Sequence, residues 1–399
     1  MDSAEISKKR WFMGKGQALR LIEELDSIDI GESKLQILQV EFENGSRDIY
    51  ATIEDESRIG AILAEGFGGA PSVQIYKARN GQFVFSRTNK LDKDALSQAT
   101  AFGAEQSNSA FFVKGKYFFK LFRRLHAGIH PEQEVLSQLN KNHFDSVPRL
   151  LGHIEYQRNG NSYAIGILEN HLEGATSAWN LFTQELCEGS LVFSHIAYQI
   201  GVATAQMHRA LKSLKGSAQR PEEPPFDKLI QLLKENKKND LIHLVEEIRL
   251  SRKTSQNDTK GVSCFTPQRI HGDYHLGQLL YKNTDLTILD FEGEPTRSLE
   301  YRRRLRSPAA DIAGMLRSFA YADAVRQKKA PTLTNPQANY YDADLCFLMG
   351  YSNESGIPIK QLEEESRPYI LDKAIYEACY ELEFRPDWFW IPEKALKNI

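Results

Sequence analysis

The chain has 399 residues, 41% of them hydrophobic and 26% charged, with a formal net charge of −3. This is the balance of an ordinary globular protein, and it gives no general electrostatic reason to bind nucleic acid. The basic runs Lys8-Lys9-Arg10, Arg302-Arg303-Arg304 and Arg326-Gln327-Lys328-Lys329 are short and read as solvated faces.

No apolar run reaches the ~18 residues of a membrane span, and MDSAEISKKRWF lacks the apolar core of a signal peptide. The four cysteines, Cys187, Cys264, Cys346 and Cys379, are far apart and form no CxxC pair. That spacing argues against a zinc site or a disulfide framework. The expectation is a cytoplasmic protein with no membrane and no nucleic-acid partner, long enough for more than one subdomain.

In chain order, three regions separate by pattern. The first, residues 1–93, contains KLQILQVEFENGSRDIYATIED, where Asn44-Gly45 divides two β-rich runs as a hairpin turn does, and QFVFSRT, a further strand. The second, residues 94–172, carries SAFFVKGKYFFKLFRRL, with Gly115 dividing two aromatic strands. HPEQEVLSQLN follows, with Pro131 suited to a first helical turn and Val135, Leu136 and Leu139 as its apolar stripe, and then the buried-strand pattern SYAIGILEN. The third, residues 173–399, is mainly helical. SHIAYQIGVATAQMHRALKSL, DKLIQLLKENKKNDLIHLVEEIRLS (interrupted near Lys237 to Asp240), ADIAGMLRSFAYADAV and YILDKAIYEACYELEF have helical spacing, and SAQRPEEPPF is a proline-rich loop. A small hairpin sits within it. The fold class is therefore α+β in a two-lobed arrangement.

RIHGDYHLGQLLYKNTDLTILDFEGEP carries the chemistry. Asn283 to Asp285 turns one short strand into another, which brings Asp273 and Asp290 near one end of the hairpin. Two close carboxylates repel unless they share a cation or a proton, and magnesium suits one or two carboxylates with an amide and phosphate oxygens. Gln278 lies five positions after Asp273, the spacing that H-x-D-x-x-x-x-N uses for a base and a metal-binding amide, and DFE occupies the place of D-F-G. The expected roles are Asp273 as base and Gln278, Asp290 and Glu292 as metal ligands, with Glu292 on the same strand face as Asp290. His271 is read as a hydrogen-bonded core residue.

Upstream, Lys120 within YFFKLF is the expected phosphate-binding lysine, held by Glu134 on the following helix. Gln106, Ser107, Asn108 and Ser109 stand where a loop covering the phosphates belongs, and the backbone of Leu168, Glu169 and Asn170 is placed to meet adenine. The acceptor candidates are His275 beside the base and Tyr376, Tyr380, Glu381, Arg385 and Trp388 near the C-terminus. Tyr376 and Tyr380 lie four apart and share a helix face. Trp11 and Phe12 of RWFMGKG are read as anchors of the first region onto the second.

These motifs, with SPAADIAGMLRSFAYA and LDKAIYEACYELEFRPDWFWIP, resemble the maltokinase family within the aminoglycoside-phosphotransferase-like sugar kinases. The resemblance covers most of the chain. It implies a bilobal protein-kinase-like fold with an N-terminal cap subdomain, ATP and Mg²⁺ as cofactors, and maltose as acceptor, giving maltose 1-phosphate for α-glucan synthesis. Phe384 stands where the family has asparagine before Arg-Pro, and glucosamine or another small sugar is the alternative acceptor. A reading of another class is an idle kinase-like partner of trehalose synthase or another glucan enzyme.

Overall fold

The structure, a computed structural model, describes residues 3–103, 108–183, 190–217, 223–257, 263–293, 297–329 and 341–398. It divides into a unit that runs to Ala175 and takes back a short segment ending at Leu299, and a second unit made of the rest.

In chain order the first unit holds α1 (Ser3–Lys8), β1 (Leu19–Ile30), β2 (Ser33–Phe42), β3 (Arg47–Ile53), α2 (Ile59–Gly68), β4 (Val73–Lys77), β5 (Gln82–Arg87), α3 (Lys93–Leu96), β6 (Ala99–Ala101), β7 (Ser109–Val113), β8 (Tyr117–Leu121), β9 (Arg124–Leu125), α4 (Pro131–Lys141), β10 (Leu150–Arg158) and β11 (Asn161–Asn170). Gly45 and Gly115 have φ of 82° and 65°, the left-handed geometry that glycine adopts without a Cβ clash, and they turn β2 into β3 and β7 into β8.

One sheet has the order β1-β2-β3-β9 and the other β4-β5-β10-β11-β8-β7-β6. The expected border at residue 93 is crossed by ladders, because β5 pairs with β10 and β3 with β9. The first 93 residues thus share both sheets with the segment after them. β1, which the sequence pattern does not mark as a strand, is acid-rich, and its register against β2 shifts twice, which breaks the period-2 alternation.

The RWF stretch anchors this unit. Phe12 packs on Tyr50 and Phe42 with ring centroids 5.3 and 6.4 Å apart, and Trp11 lies 5.8 Å from Tyr50. Arg123, fully buried, covers the Trp11 ring at 4.8 Å. Burying each of these aromatic side chains contributes about 1.5–3 kcal/mol.

The chain from Thr176 holds β12 (Thr176–Ser177), α5 (Ala178–Thr183), α6 (Ser190–Leu211), α7 (Phe226–Glu235), α8 (Asp240–Asn257), β13 (Leu279–Lys282), β14 (Asp285–Ile288), α9 (Leu299–Arg302), α10 (Ala309–Lys329), α11 (Tyr341–Ser355), α12 (Ile359–Phe384) and α13 (Trp390–Lys397). β13 and β14 form the expected hairpin, with Leu279 opposite Ile288 and Lys282 opposite Asp285. α6 and α11 approach backbone to backbone: a Cβ on Gly201 would stand 2.0 Å from the Phe347 carbonyl oxygen, and one on Gly350 would stand 2.1 Å from that of Tyr198. A second core joins α7, α8, α12 and α13 through Leu229, Leu233, Val245, Ile375, Ala378 and Phe389. It fixes the helix that carries the acceptor candidates.

Candidate active site

The loop from His271 to Asp273 is held by a residue that the sequence reading did not single out. Asp311, in the first turn of α10 and 2% exposed, accepts the backbone N–H groups of His271 at 2.8 Å and Gly272 at 3.0 Å, and its Oδ2 lies 3.1 Å from His208 Nε2. His208 Nδ1 lies 2.9 Å from the Tyr351 hydroxyl. Burial pushes the Asp311 carboxyl up, but the hydrogen bond and charge of His208, the charge of His271 and the Gly272 amide outweigh it and leave its pKa lowered. An ionised clamp results. Gly272 has φ 89°, and only glycine enters this region without strain.

His271 donates from Nε2 to the Leu289 carbonyl at 2.8 Å and accepts the Asp273 N–H on Nδ1 at 3.3 Å. Both ring nitrogens are spent on positioning. The half-buried Asp273 carboxylate makes no hydrogen bond or ion pair among the described residues. It is available to a substrate.

Gln278 closes a 3-10 turn, Leu276–Gln278, and donates from Nε2 to Asp290 Oδ2 at 3.1 Å. Asp290 sits beyond the end of β14 with φ 63°, a left-handed conformation for a non-glycine residue. The expectation that Glu292 shares a strand face with Asp290 is corrected here, because the strand stops at Ile288. Glu292 is buried with Oε2 3.9 Å from Arg302 Nη1, and that same nitrogen donates to the Glu292 carbonyl at 3.2 Å. His275 uses Nδ1 to accept the Gly277 N–H at 3.0 Å and so caps the 3-10 turn. Burial pushes its pKa down, against the charge of Asp273 and with the charges of His271 and Lys373.

In the first unit, Lys120 on β8 donates to Glu132 Oε2 at 2.8 Å, with both side chains buried. The acid expected here was Glu134, which is half-buried on α4. Asn108 Oδ1 accepts the Arg123 N–H at 3.4 Å, and Ser109 Oγ accepts Arg123 Nε at 2.8 Å, so these two groups serve a structural arginine. Gln106 and Ser107 lie outside the described residues.

Leu168 and Glu169 sit in the body of β11, paired on one side with Phe119 and Phe118 and on the other with Gly152 and Leu150. Their backbone groups are committed to the sheet, and Asn170 donates its N–H to the Arg149 carbonyl at 3.2 Å. The ladder thus leaves Leu168 and Glu169 no free backbone to turn to adenine, and Asn170 keeps only its carbonyl for that expected role.

Tyr376 and Tyr380 stand on α12 at 40% and 51% exposure, and Tyr380 meets Phe384 in a tilted contact with centroids 5.1 Å apart. Arg385 is not left open for a sugar as expected: its Nη2 donates to Glu381 Oε1 at 2.6 Å, and its guanidinium covers the Tyr380 ring at 5.1 Å. Trp388 carries Lys328 over its ring at 4.5 Å. Glu381 is 1% exposed. Its Oε1 also accepts the Tyr321 hydroxyl at 3.0 Å, whereas its Oε2 is buried with no hydrogen-bond partner.

α10 joins these groups to the loop that carries Asp273 and Leu276. Arg317 grips Glu377 with Nε at 2.9 Å and Nη2 at 2.5 Å, Ser318 accepts the Leu276 N–H at 3.0 Å, and Tyr321 reaches Glu381. The signal for Asp311 was present in SPAADIAGM as one acid in an otherwise apolar run at a helix start.

The sequence profile of the phosphotransferase enzyme family, APH, matches residues 98–330, more than half of the chain. The chain belongs to that family. Two curated relatives are glucosamine kinases. One, from Streptacidiphilus jiangxiensis, is 20% identical over 67% of this chain and 65% of its own length, and one from Mycolicibacterium smegmatis is 21% identical over 74% and 78%. The match thus spans just under two thirds of the first relative.

Among solved structures, a glucosamine kinase in complex with glucosamine, ADP and inorganic phosphate superposes with a TM-score of 0.69 at 16% identity, covering 100% of this chain and 99% of that one. Crystal form B of a glucosamine kinase gives 0.72 at 17%, with the same coverage. At such identity the likeness concerns the fold, and the fold of this APH phosphotransferase is the protein-kinase-like mix of helix and sheet expected from its sequence. Among the described residues no helix is long and apolar enough to cross a membrane.

Proposed function

We propose that this phosphotransferase moves the γ-phosphoryl group of ATP to a hydroxyl of a small sugar, and that an amino sugar of the glucosamine type suits its residues best. Lys120, held by Glu132, serves the nucleotide phosphates. Asp290 offers hard carboxylate oxygens, and the Gln278 amide beside it, whose Nε2 donates to Asp290 Oδ2 here, would turn its oxygen to an ion; that set fits Mg²⁺, and the bound ion would neutralise phosphate charge. Asp273, with an unengaged carboxylate, accepts the hydroxyl proton. An idle kinase-like module would have no chemical use for this base beside the Gln278–Asp290 pair.

The observation that carries the acceptor assignment is Glu381. A buried carboxylate oxygen without a donor costs about 1–3 kcal/mol, and a substrate ammonium supplies that donor. The names of the curated relatives support the same reading. Maltose is the second reading, favoured by Tyr380 and Phe384, which expose 51% and 64% of their surface to sugar-ring faces. The use of Arg385 by Glu381 weakens it.

The test is Mg²⁺-dependent ADP release with both sugars, for the wild type and Glu381→Gln. Glucosamine should exceed maltose in kcat/KM by tenfold or more, about 1.4 kcal/mol of transition-state stabilisation. Glu381→Gln should narrow that ratio by lowering the glucosamine value. A maltose preference of tenfold would replace the amino sugar with the disaccharide, and no ADP release with any sugar would overturn the kinase reading.

A further inference from the structure

We propose that Lys373 is a second cation of the transfer step, which meets the migrating phosphoryl group from the acceptor side while Asp273 takes the hydroxyl proton. This rests on the kinase reading above. The residue lies within LDKAIYEACYELEFRPDWFWIP, where the sequence reading assigned it no role of its own; its placement does.

Lys373 lies on α12, half-buried. A Cβ built on Gly314 of α10 would stand 2.6 Å from the Tyr274 carbonyl oxygen and 3.3 Å from Lys373 Cε. The lysine stem therefore runs beside the backbone of the catalytic loop, at the residue between Asp273 and His275, and a glycine on α10 leaves room for it. Its charge reaches His275, whose surroundings also include Asp273 and Asp290.

Among the described residues nothing engages that charge directly. Lys373 makes no hydrogen bond or ion pair among the described residues, whereas its neighbours on α12 do: Asp372 pairs with Arg252, Glu377 with Arg317 and Glu381 with Arg385. A half-buried ammonium whose stem runs beside the Tyr274 backbone makes no ion pair among the described residues, and a ligand anion would supply one.

Residues 373, 377 and 381 follow at helical spacing on one face, each step about 6 Å along the axis. The face thus runs from a cation beside the catalytic loop to carboxylates further on. An acceptor with an ammonium at the carboxylate end and a reacting hydroxyl at the other matches that polarity.

In the step, the acceptor oxygen forms a bond to the γ-phosphorus and the bond from that phosphorus to the β–γ bridging oxygen breaks. The hydroxyl proton goes to Asp273, and the nucleoside diphosphate leaves with the electron pair. Charge spreads over the three equatorial oxygens, where a preoriented ammonium acts most strongly.

The experiment titrates inorganic phosphate into the ADP- and Mg²⁺-saturated enzyme by calorimetry, for the wild type, Lys373→Met and Lys373→Arg, beside steady-state kinetics with glucosamine. The expected result is a phosphate Kd at least tenfold weaker in Lys373→Met, ADP affinity within about twofold, kcat lower by about 10- to 100-fold with KM for glucosamine little changed, and partial recovery in Lys373→Arg. Unchanged phosphate affinity and kcat in Lys373→Met, or no phosphate binding by the wild type, would overturn the proposal. So would a loss in Lys373→Met that Lys373→Arg shares in full. If the wild type phosphorylates no sugar while phosphate binding still depends on Lys373, the cation assignment stands and the amino-sugar reading falls.

Discussion

Lys120 and Glu132 form a buried pair, Nζ to Oε2 2.8 Å, in which the acid stands two residues before the one chosen from the sequence. Both acids fall in the first turn of α4, where a two-residue step turns the side chain through about 200°. The sequence alone offers no rule for choosing between them, and a pair of substitutions does. Glu132→Gln should lower kcat/KM for ATP by about 10- to 100-fold and cost about 3–5 kcal/mol in stability, since it removes the charged partner from a buried ion pair. Glu134→Gln should lower kcat/KM for ATP less than Glu132→Gln does, since Glu134 is only half-buried. Equal losses in the two variants would show that the lysine is shared.

Asp311 holds the catalytic loop by two backbone amides rather than by side chains. Asp311→Asn keeps an acceptor oxygen but gives up the charge, so the bonds from His271, Gly272 and His208 weaken together. The expected outcome is a drop in kcat of about 10²-fold with ATP affinity near wild type. Asp311→Ala should unfold at least 3 kcal/mol more easily, about the loss expected on breaking a buried charged network. Thermal unfolding followed beside turnover checks both, and an Asn variant with full activity would show that the loop needs no ionised clamp.

Asp344 on α11 supplies a pH dependence of stability. Burial pushes its carboxyl up to about 7, with Asp323 adding to the shift and Arg317 opposing it, and its Oδ1 is buried without a hydrogen-bond partner. An unfolded aspartate titrates near ~3.9. Between these values the native state binds more protons than the unfolded one, so this group's contribution to stability falls as pH rises from about 4 through 7. Asp344→Asn removes the titration. Its Tm curve between pH 5 and 8 should be flatter than that of the wild type and should lie above it at pH 8. Parallel curves would show that Asp344 does not titrate in this range.

Much of this arrangement was legible where chemistry and local turn geometry coincide. Asn44-Gly45, Gly115 and Asn283 mark reversals by backbone conformation alone, and the Asp273, Gln278 and Asp290 spacing reflects the shape of one hairpin. Long-range choices were not legible. β10 (LLGHIEYQR) and β11 lie side by side between β5 and β8, and their pairing removes Leu168 and Glu169 from any role that needs a free backbone. Arg385 reads as a ligand for hydroxyls until the fold places Glu381 within its reach. Lys373 and Asp311 sit on helices, α12 and α10, that no local pattern brings together.

Gly314 decides between two opposed effects of known size. Replacing a helical glycine with alanine ordinarily gains about 1 kcal/mol. Here the new methyl would stand 2.6 Å from the Tyr274 carbonyl oxygen, too close for either atom to remain in place. Lys373 Cε, at 3.3 Å, belongs to a flexible side chain and can move aside, but the carbonyl belongs to a loop that is fixed on both sides. Tyr274 is 1% exposed with its hydroxyl 2.8 Å from Thr204 Oγ1, and the preceding amides are held by Asp311. Overpacking against such a backbone costs about 1–3 kcal/mol, so the clash outweighs the propensity gain. Gly314→Ala should therefore lower Tm, and kcat should fall by tenfold or more as Asp273 moves with the loop, while KM for ATP changes little. A higher Tm with unchanged kcat would mean that α10 shifts as a body to admit the methyl.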